Sequence, residues 1–363
     1  MKKIKAIVTG GAGFIGSTLA RSLIADGHQV LIIDNFSYSS NDNINDLLPG
    51  KADLSYLDIT NSQAVRKRVQ KYQPDYIFHL AAVAPLPDCQ SDPYLAYNVN
   101  VGGTINVLEA ARYSNVKRIV FASTGALYEN IAVPHNELSG PRRFIPQHKN
   151  LSEVHHFGEP DLTYPTTKYH AEHICNNYIK NYGLNIIKLR LFNVYGVLQS
   201  NTRKHPALMG YITKCLTDNL VPQFYNKTGS KRDYVNVKDV VAAFKKSAFI
   251  ETPITSRHEP STYNVCSGVQ HSVEEILDIF YVCAKHKGLD HACLGPGYQK
   301  PAQFWHKYPN LSDATYNLKE ERLIKEVEHQ TLGSNTLAKT FLGWKPTVSI
   351  EEGIKEICDT LIP

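Results

Sequence analysis

Short hydrophobic runs alternate with amphipathic stretches along the first half of the chain. The runs that predict β-strands are Ile4–Thr9, Gln29–Asp34, Asp75–Leu80, Val116–Ser123 and Asn185–Leu191. The stretches whose apolar residues recur at helical spacing are Phe14–Asp26, Tyr94–Tyr113 and Tyr164–Tyr182. Strands that alternate with helices in this way predict an α/β fold with a doubly wound parallel sheet. The continuously apolar strands also indicate burial on both faces of the sheet.

The pattern changes near residue 193, where glycine, proline and aromatic residues become frequent and the alternation is lost. We therefore predict a larger domain over 1–192 and a smaller, irregular domain over 193–363, with 233–262 returning to the first. The polar stretch Pro134–Asp161 shows no periodicity and predicts a long surface loop.

The composition narrows the functional classes. The 42% hydrophobic and 20% charged residues are typical of a globular protein, and no apolar run is long enough for a membrane span. The net charge of +5 is spread thinly, which argues against nucleic acid as a partner. Met1-Lys2-Lys3 leads straight into a strand, so no signal peptide is expected. The seven cysteines contain no C-x-x-C pair, which favours reduced thiols in a cytoplasmic protein and no metal site.

A glycine-rich turn follows the first predicted strand. Gly10, Gly13 and Gly16 have the spacing that lets a backbone turn tightly, approach a pyrophosphate and pack a helix against a strand. Phe14 and Ile15 then open the first helix, whose free N–H groups favour phosphate. This context favours a dinucleotide site of the Rossmann type over a glycine-rich turn without a ligand.

Asp34 ends the second strand and bears on the choice of dinucleotide. A carboxylate here accepts hydrogen bonds from ribose hydroxyls and repels a 2′-phosphate, and no arginine follows it. The sequence therefore predicts NAD as the cofactor. Asp58 either contacts the adenine or is a turn residue at the end of a strand.

Tyr164 and Lys168 lie four residues apart at the start of a predicted helix, which places them on one face. A neighbouring ammonium lowers the pKa of a phenol and makes it a usable base. A Tyr–Lys pair at this spacing is also common on ordinary helix surfaces.

Nine segments taken in order resemble one family. They are Gly10–Gly16, His79–Ala82, Asn98–Thr104, Phe121–Tyr128, Tyr164 with Lys168, Arg190–Gly196, Lys231–Val235, Tyr263–Val265 and Leu342–Pro346. Together they resemble the extended short-chain dehydrogenase/reductase family, in its NAD-dependent sugar-nucleotide epimerase/dehydratase branch, over nearly the whole chain. The resemblance implies a nucleotide-diphosphate sugar as substrate. It also implies a homodimer formed through the helices predicted over 94–113 and 164–182.

The resemblance assigns roles to individual residues. The implied catalytic residues are Thr124, Tyr164 and Lys168, although Ser123 lies next to Thr124. The predicted NAD site comprises Gly10, Gly13, Phe14, Ile15, Gly16, Asp34, Asn35, Asp58, Ile59, Leu80, Ala81, Ala82, Asn100, Ser123, Tyr164, Lys168 and Phe192. The predicted substrate-binding residues are Thr124, Asn193, Arg232 and Arg322.

The sequence departs from the family pattern in four places. Asn236 stands where histidine is common, and Glu328 stands where arginine is usual, with Arg322 only loosely matched. The interval between Tyr128 and Tyr164 is long and contains His148, His155 and His156. Pro85-Leu86-Pro87 occupies a loop that shapes the sugar pocket in the family.

The residues after Thr124 bear on the reaction. Dehydratases of this branch carry an Asp-Glu pair there, whereas this chain has Gly125 and Ala126, which cannot move protons. The sequence therefore favours NAD-dependent epimerisation at C4 of a nucleotide sugar through a transient 4-keto sugar. The alternatives are a nucleotide-sugar decarboxylase, a 4,6-dehydratase, and a non-catalytic NAD-binding regulatory protein.

Overall fold

The structure, a computed structural model, describes residues 3–128, 160–199, 206–218, 220, 222, 224–225, 231–251, 261–286, 305–306 and 330–361. Its strands are β1 (Lys5–Thr9), β2 (Gln29–Asp34), β3 (Asp53–Tyr56), β4 (Tyr76–His79), β5 (Arg118–Thr124), β6 (Ile186–Leu191), β7 (Asn193–Tyr195), β8 (Phe224–Tyr225), β9 (Lys231–Asn236), β10 (Thr262–Val265), β11 (Gln270–Ser272) and β12 (Trp305–His306). Its α-helices are α1 (Phe14–Ala25), α2 (Ser62–Tyr72), α3 (Leu86–Ser91), α4 (Pro93–Tyr97), α5 (Thr104–Arg112), α6 (Thr163–Tyr182), α7 (Leu208–Thr217), α8 (Val237–Phe249), α9 (Val273–His286), α10 (Thr336–Leu342) and α11 (Ile350–Asp359).

Seven strands form one parallel sheet in the order β10-β6-β5-β4-β1-β2-β3. The strand order reverses between β1 and β4, and in such sheets ligands bind outside the carboxyl ends of the strands at this point. The predicted doubly wound α/β fold is confirmed. A smaller sheet has the order β11-β9-β7, in which β9 runs parallel to β7 and antiparallel to β11.

The two faces of the large sheet are covered by different helices. Residues that alternate along each strand point to opposite faces, so that Val8 and Phe78 belong to one core and Ile7 and Ile77 to the other. The first core includes buried residues of α1 and α8, and the second those of α2, α5 and α6. This double coverage explains why the strands are almost continuously apolar.

The sequence pattern did not predict β3 or α2, because β3 is short and only partly buried and α2 is strongly polar. The helix predicted over Tyr94–Tyr113 consists of α4, a π-helical segment over Asn98–Gly103, and α5. The loop predicted over Pro134–Asp161, which contains His148, His155 and His156, lies outside the described residues except at its last two positions.

A third core joins α7, α9 and α11 to β7 and β9. Asp239 of α8 anchors the chain that leads to α11, because its carboxylate accepts hydrogen bonds from the Thr347 amide and hydroxyl and the Val348 amide at 2.7–3.0 Å. Helix α8 and strand β10 follow residue 193 in sequence and pack with the large sheet. The domain boundaries expected from the sequence stay a prediction. Among the described helices, none has both the length and the apolar character needed to span a bilayer.

Candidate active site

A cavity of about 370 Å³ lies at the carboxyl ends of β1, β2, β4, β5 and β6, where the strand order reverses. Its wall contains sixteen of the seventeen residues predicted for the NAD site, all but Asn100. It also contains Thr124. The fold therefore brings the predicted cofactor and catalytic residues into one place.

The glycine-rich turn forms part of the wall of this cavity. Gly10 has a φ of +69°, and a Cβ on it would lie 2.7 Å from the Ala81 amide nitrogen. On Gly16 a Cβ would lie 2.2 Å from the Gly10 carbonyl oxygen, so α1 starts in backbone contact with the turn. On Gly13 it would meet only that same oxygen, at 3.2 Å. Gly10 and Gly16 are thus required by packing, and Gly13 leaves the backbone open towards a ligand.

Asp34 lines the cavity and also holds its wall in shape. Its carboxylate accepts hydrogen bonds from the amides of Ala12 at 3.0 Å and Phe36 at 2.9 Å, and from the Ser39 hydroxyl at 2.9 Å. The carboxylate is therefore fixed between the glycine-rich turn and the segment after β2.

Asp58 lines the cavity and is also a turn residue, and its contact with adenine stays a prediction. Its carboxylate accepts hydrogen bonds from the Thr60 amide and hydroxyl and from the Asn35 amide group, at 2.7–2.8 Å. Burial opposes ionisation of Asp58, but these hydrogen bonds outweigh it and lower the pKa of the carboxyl.

Thr124, Tyr164 and Lys168 also line the cavity. Thr124 ends β5, and its hydroxyl accepts a hydrogen bond from the Ala126 amide at 3.1 Å. Tyr164 and Lys168 lie on the first two turns of α6, where the Lys168 ammonium donates to the Ala122 carbonyl at 3.0 Å. Burial lowers the pKa of Lys168 to about 8, so this ammonium loses its proton at mildly alkaline pH.

Asn100 was predicted among the residues that line the NAD site, but in the structure it lies behind the cavity wall. It is 1% exposed, and its amide exchanges hydrogen bonds with the backbone of Val83 at 2.8 and 2.9 Å. It also donates to the Thr167 hydroxyl, which in turn donates to the Tyr164 carbonyl. These bonds occupy the amide, so Asn100 fixes the start of α6 and the segment after β4.

His79 is buried at the end of β4 as a neutral side chain. The Thr104 hydroxyl donates its one hydrogen to the Asn100 carbonyl at 2.6 Å, so His79 Nε2 carries the proton that it donates to Thr104 at 3.0 Å. His79 Nδ1 then accepts from the Thr9 hydroxyl at 2.7 Å. Burial, with a smaller effect from the nearby Lys168 cation, lowers the pKa of His79 to about 3.

This histidine predicts a loss of stability in acid. The unfolded chain binds a proton at His79 below its usual pKa near 6.5, whereas the folded chain does so only near 3. Above pH 6.5 His79 is neutral in both states, and its full contribution to the free energy of unfolding is present. As the pH falls from 6.5 towards 3, we expect the free energy of unfolding to decrease by about 1.4 kcal/mol per pH unit. Urea unfolding at a series of pH values measures it. His79→Gln should show a shallower slope than the parent, and the exposed His170→Gln should not; equal slopes in all three proteins would contradict the assignment.

A buried ion pair that the sequence analysis did not single out lies behind the catalytic residues. Glu172 of α6 accepts from Arg190 of β6 at 2.7 and 2.9 Å and from the Ser123 hydroxyl at 2.5 Å. The Arg190 guanidinium also donates to the Tyr128 hydroxyl, which donates to Asn264. The available signal was Lys188 and Arg190 within the otherwise apolar strand Ile186–Leu191, since charges in a doubly covered strand need buried partners.

Of the predicted substrate-binding residues, Thr124 lines the cavity, and two others lie on strands of the smaller sheet. Asn193 of β7 and Arg232 of β9 are on adjacent strands, and the Asn193 amide donates to the Asp233 carbonyl at 3.1 Å. Neither belongs to the described wall of the cavity, although Phe192 and Val194 do. Arg322 and Glu328 lie outside the described residues. Asn236 serves as the N-cap of α8, because its side chain accepts from the Lys238 amide.

Gly125 packs directly against Phe192. A Cβ at residue 125 would lie 3.0–3.2 Å from three atoms of the Phe192 ring, which is closer than ordinary van der Waals contact. The ring contacts Tyr128 on another side and has no open space towards Gly333, where a Cβ would lie 2.8 Å from its tip. A side chain at 125, such as the first carboxylate of an acid pair, would displace this ring.

The chain is similar in sequence and in fold to known proteins. The model of the NAD dependent epimerase/dehydratase family matches residues 6–266. A UDP-glucose 4-epimerase of Mycolicibacterium smegmatis is 28% identical over 97% of this chain and 96% of its own length. A UDP-glucuronate 4-epimerase of Thermodesulfobacterium geofontis is 26% identical over 96% of this chain and 93% of its own. The crystal structure of the Thermus thermophilus UDP-glucose 4-epimerase in complex with NAD is 26% identical, covers 99% of both chains and has a TM-score of 0.75.

Proposed function

This chain belongs to the NAD dependent epimerase/dehydratase family, and we propose that it is a nucleotide-sugar epimerase that inverts C4 of a UDP-sugar. The observation that carries the proposal is that Thr124, Tyr164 and Lys168 line the same cavity as the glycine-rich turn, with no acid pair after Thr124. The relatives named as UDP-sugar 4-epimerases support UDP as the nucleotide and C4 as the reacting carbon.

The residues present fit NAD. The turn at Gly10–Gly16 leaves no room for a side chain at its tightest positions, and the fixed Asp34 carboxylate faces the same cavity. We propose that the pyrophosphate is bound at the start of α1, that Asp34 accepts from the adenosine ribose, and that Lys168 donates to the other ribose. When bound, NAD supplies the oxidation of C4 and its reversal.

The side chains then divide the work on the sugar. Thr124 orients the C4 hydroxyl by a hydrogen bond, and Tyr164, as the phenolate, takes its proton. The Lys168 ammonium favours that phenolate through its positive charge. After the 4-keto sugar has turned over in the cavity, Tyr164 returns the proton to the new C4 hydroxyl. No further acid or base is required, in keeping with Gly125 and Ala126. Asn193 and Arg232 are proposed to contact the diphosphate, since a guanidinium binds phosphate oxygens in a forked geometry.

The direct test is to incubate the protein with NAD and a panel of UDP-, GDP-, CDP- and dTDP-linked hexoses and hexuronates and to identify products by NMR and mass. We expect a C4 epimer of equal mass with a UDP-sugar. A product lighter by one carbon dioxide would instead identify a decarboxylase, and one lighter by one water a dehydratase, which the contact of Gly125 with Phe192 disfavours. Binding of NAD without any turnover would favour the non-catalytic alternative.

Asp34 predicts the cofactor preference. Its carboxylate would repel a 2′-phosphate, so NAD should bind far more tightly than NADP, and Asp34→Ala should narrow the difference about 10-fold or more. Fluorescence titrations with NADH and NADPH measure both affinities. Asp58→Asn removes another carboxylate of the cavity wall and should leave the ratio nearly unchanged. Equal affinities in the parent protein would refute the prediction.

We further propose a cytoplasmic homodimer. Large side chains on α4 and at the ends of α5 and α6 are exposed, among them Tyr94 at 81% and Tyr182 at 52%. Ile174, Tyr178 and Ile179 of α6 are partly buried and pack against the second core. Light scattering should give twice the chain mass, and Tyr94→Asp with Tyr97→Asp should shift it towards one chain. A concentration-independent monomer in the parent protein would contradict the proposal.

A further inference from the structure

We propose that Glu172 is a positioning residue that acts on the reaction from behind the cavity wall, holding the end of β5 in place and keeping Lys168 in its ammonium form. The inference rests on the proposed function, in which Lys168 binds a ribose of NAD and activates Tyr164. Glu172 itself does not line the cavity.

The geometry of α6 connects the three residues. Tyr164, Lys168 and Glu172 follow one another at intervals of four residues, so they lie on successive turns of the same face. The Glu172 carboxylate joins α6 to β5 through Ser123, which precedes Thr124. It joins α6 to β6 through Arg190, two residues before Phe192. One carboxylate therefore fixes the spacing of the elements that carry the catalytic residues.

Burial makes the charge of Glu172 effective. Glu172, Lys168 and Ser123 are each at most 4% exposed, and charges interact strongly where water is excluded. Hydrogen bonds from Arg190 and its charge outweigh the effect of burial and lower the pKa of Glu172, so the carboxylate is ionised throughout the working range. The ion pair is thus a fixed part of the site.

Several titratable groups face Lys168, and they differ in charge. His79 on β4 is neutral, and burial raises the pKa of the thiols of Cys89 on α3 and Cys175 on α6 to about 12. Beyond Glu172, Lys188 and Arg190 on β6 add positive charge. Tyr164 lies one turn before Lys168 on its own helix. Burial lowers the pKa of Lys168, and anionic forms of Cys89, Cys175 and Glu172 would each raise it. Of these three groups Glu172 is the one ionised at neutral pH, because both thiols keep their protons.

Two variants separate charge from geometry. Glu172→Gln keeps the size and a hydrogen bond to Ser123 but removes the charge, and Glu172→Asp keeps the charge but shortens the side chain. The readout is NADH affinity against pH without any sugar, from about pH 6 to pH 10. In the parent protein we expect the affinity to fall as Lys168 loses its proton near pH 8. In Glu172→Gln the fall should begin at a lower pH, since removal of a buried anion lowers the pKa of a nearby ammonium.

Glu172→Asp should keep the pH dependence of the parent protein while turnover falls about 10-fold, because the shorter carboxylate cannot hold Ser123 and Arg190 in place together. The control is Asp239→Asn, which weakens another buried carboxylate network, the one that binds Thr347 and Val348. It should lower the melting temperature without moving the pH dependence.

An unmoved pH dependence in Glu172→Gln, or an equal shift in Asp239→Asn, would overturn the inference. If Glu172→Gln does not fold, Glu172→Asp provides the test. A shifted pH dependence of NADH affinity, or an undiminished turnover, in Glu172→Asp would contradict the proposed role of Glu172. The binding readout needs no turnover. If the parent protein were inactive on every sugar, the proposed function would be contradicted. The NADH-binding measurements would still decide whether Glu172 affects Lys168.

Discussion

Tyr164→Phe is expected to lower turnover by about 10²- to 10⁴-fold while NAD binding and the melting temperature change little. The substitution deletes the ionisable oxygen and keeps the ring, which packs against the small cluster of Val83, Cys89 and Ala96. Without the phenolate no side chain of the proposed mechanism takes the proton of the C4 hydroxyl. Turnover at saturating UDP-sugar, NADH titration and thermal unfolding measure the three quantities.

The matched control is Tyr169→Phe, which makes the same chemical change on the next turn of α6, outside the cavity wall. It should retain nearly full turnover. A substrate deuterated at C4 adds a second criterion, because an epimerase returns the hydrogen to the carbon that lost it and the product keeps its label. Label lost to solvent, or full activity in Tyr164→Phe, would defeat the assignment of Tyr164 as the base.

Gly16→Ala is expected to lower the free energy of unfolding by about 3 kcal/mol and to weaken NAD binding strongly. The new Cβ would lie 2.2 Å from the Gly10 carbonyl oxygen and 2.8 Å from the Gly11 Cα. Both atoms belong to the backbone, so no side chain can move aside and α1 must shift away from the turn. Urea unfolding and NADH titration measure the two effects.

Alanine substitutions at two other glycines serve as comparisons for Gly16→Ala. Gly13→Ala meets a single oxygen at 3.2 Å, so it should cost little stability while its methyl group reduces access to the turn. Gly102→Ala meets only the Asn98 side chain at 3.4 Å, and it should alter neither quantity appreciably. If Gly16→Ala unfolded at the same urea concentration as Gly102→Ala, the packing argument for the turn would fail.

The fold class and most of the cavity wall were predictable from local sequence patterns and from the family motifs that the chain contains. Strands that are buried on both faces are continuously apolar, so they can be recognised in the sequence. The glycine-rich turn can be recognised because its steric constraints act between residues that are close in sequence. Asp34 follows from its position, because in a parallel sheet the carboxyl ends of the strands meet at one edge. Thr124, Tyr164 and Lys168 were assigned through the resemblance to the family, and the fold brings them to the same cavity.

The pairing of the buried polar groups could not be predicted from the sequence, because it depends on contacts between distant elements. Asn100 was expected in the cavity wall, yet its amide is occupied by Val83 and Thr167, which lie 17 and 67 residues away in sequence. Glu172 of α6 gave no signal on its own, since its partners Ser123 and Arg190 come from two strands that are distant in sequence. A buried charge is stable only where matching groups converge on it, and that convergence depends on how separate elements pack, which no local pattern encodes.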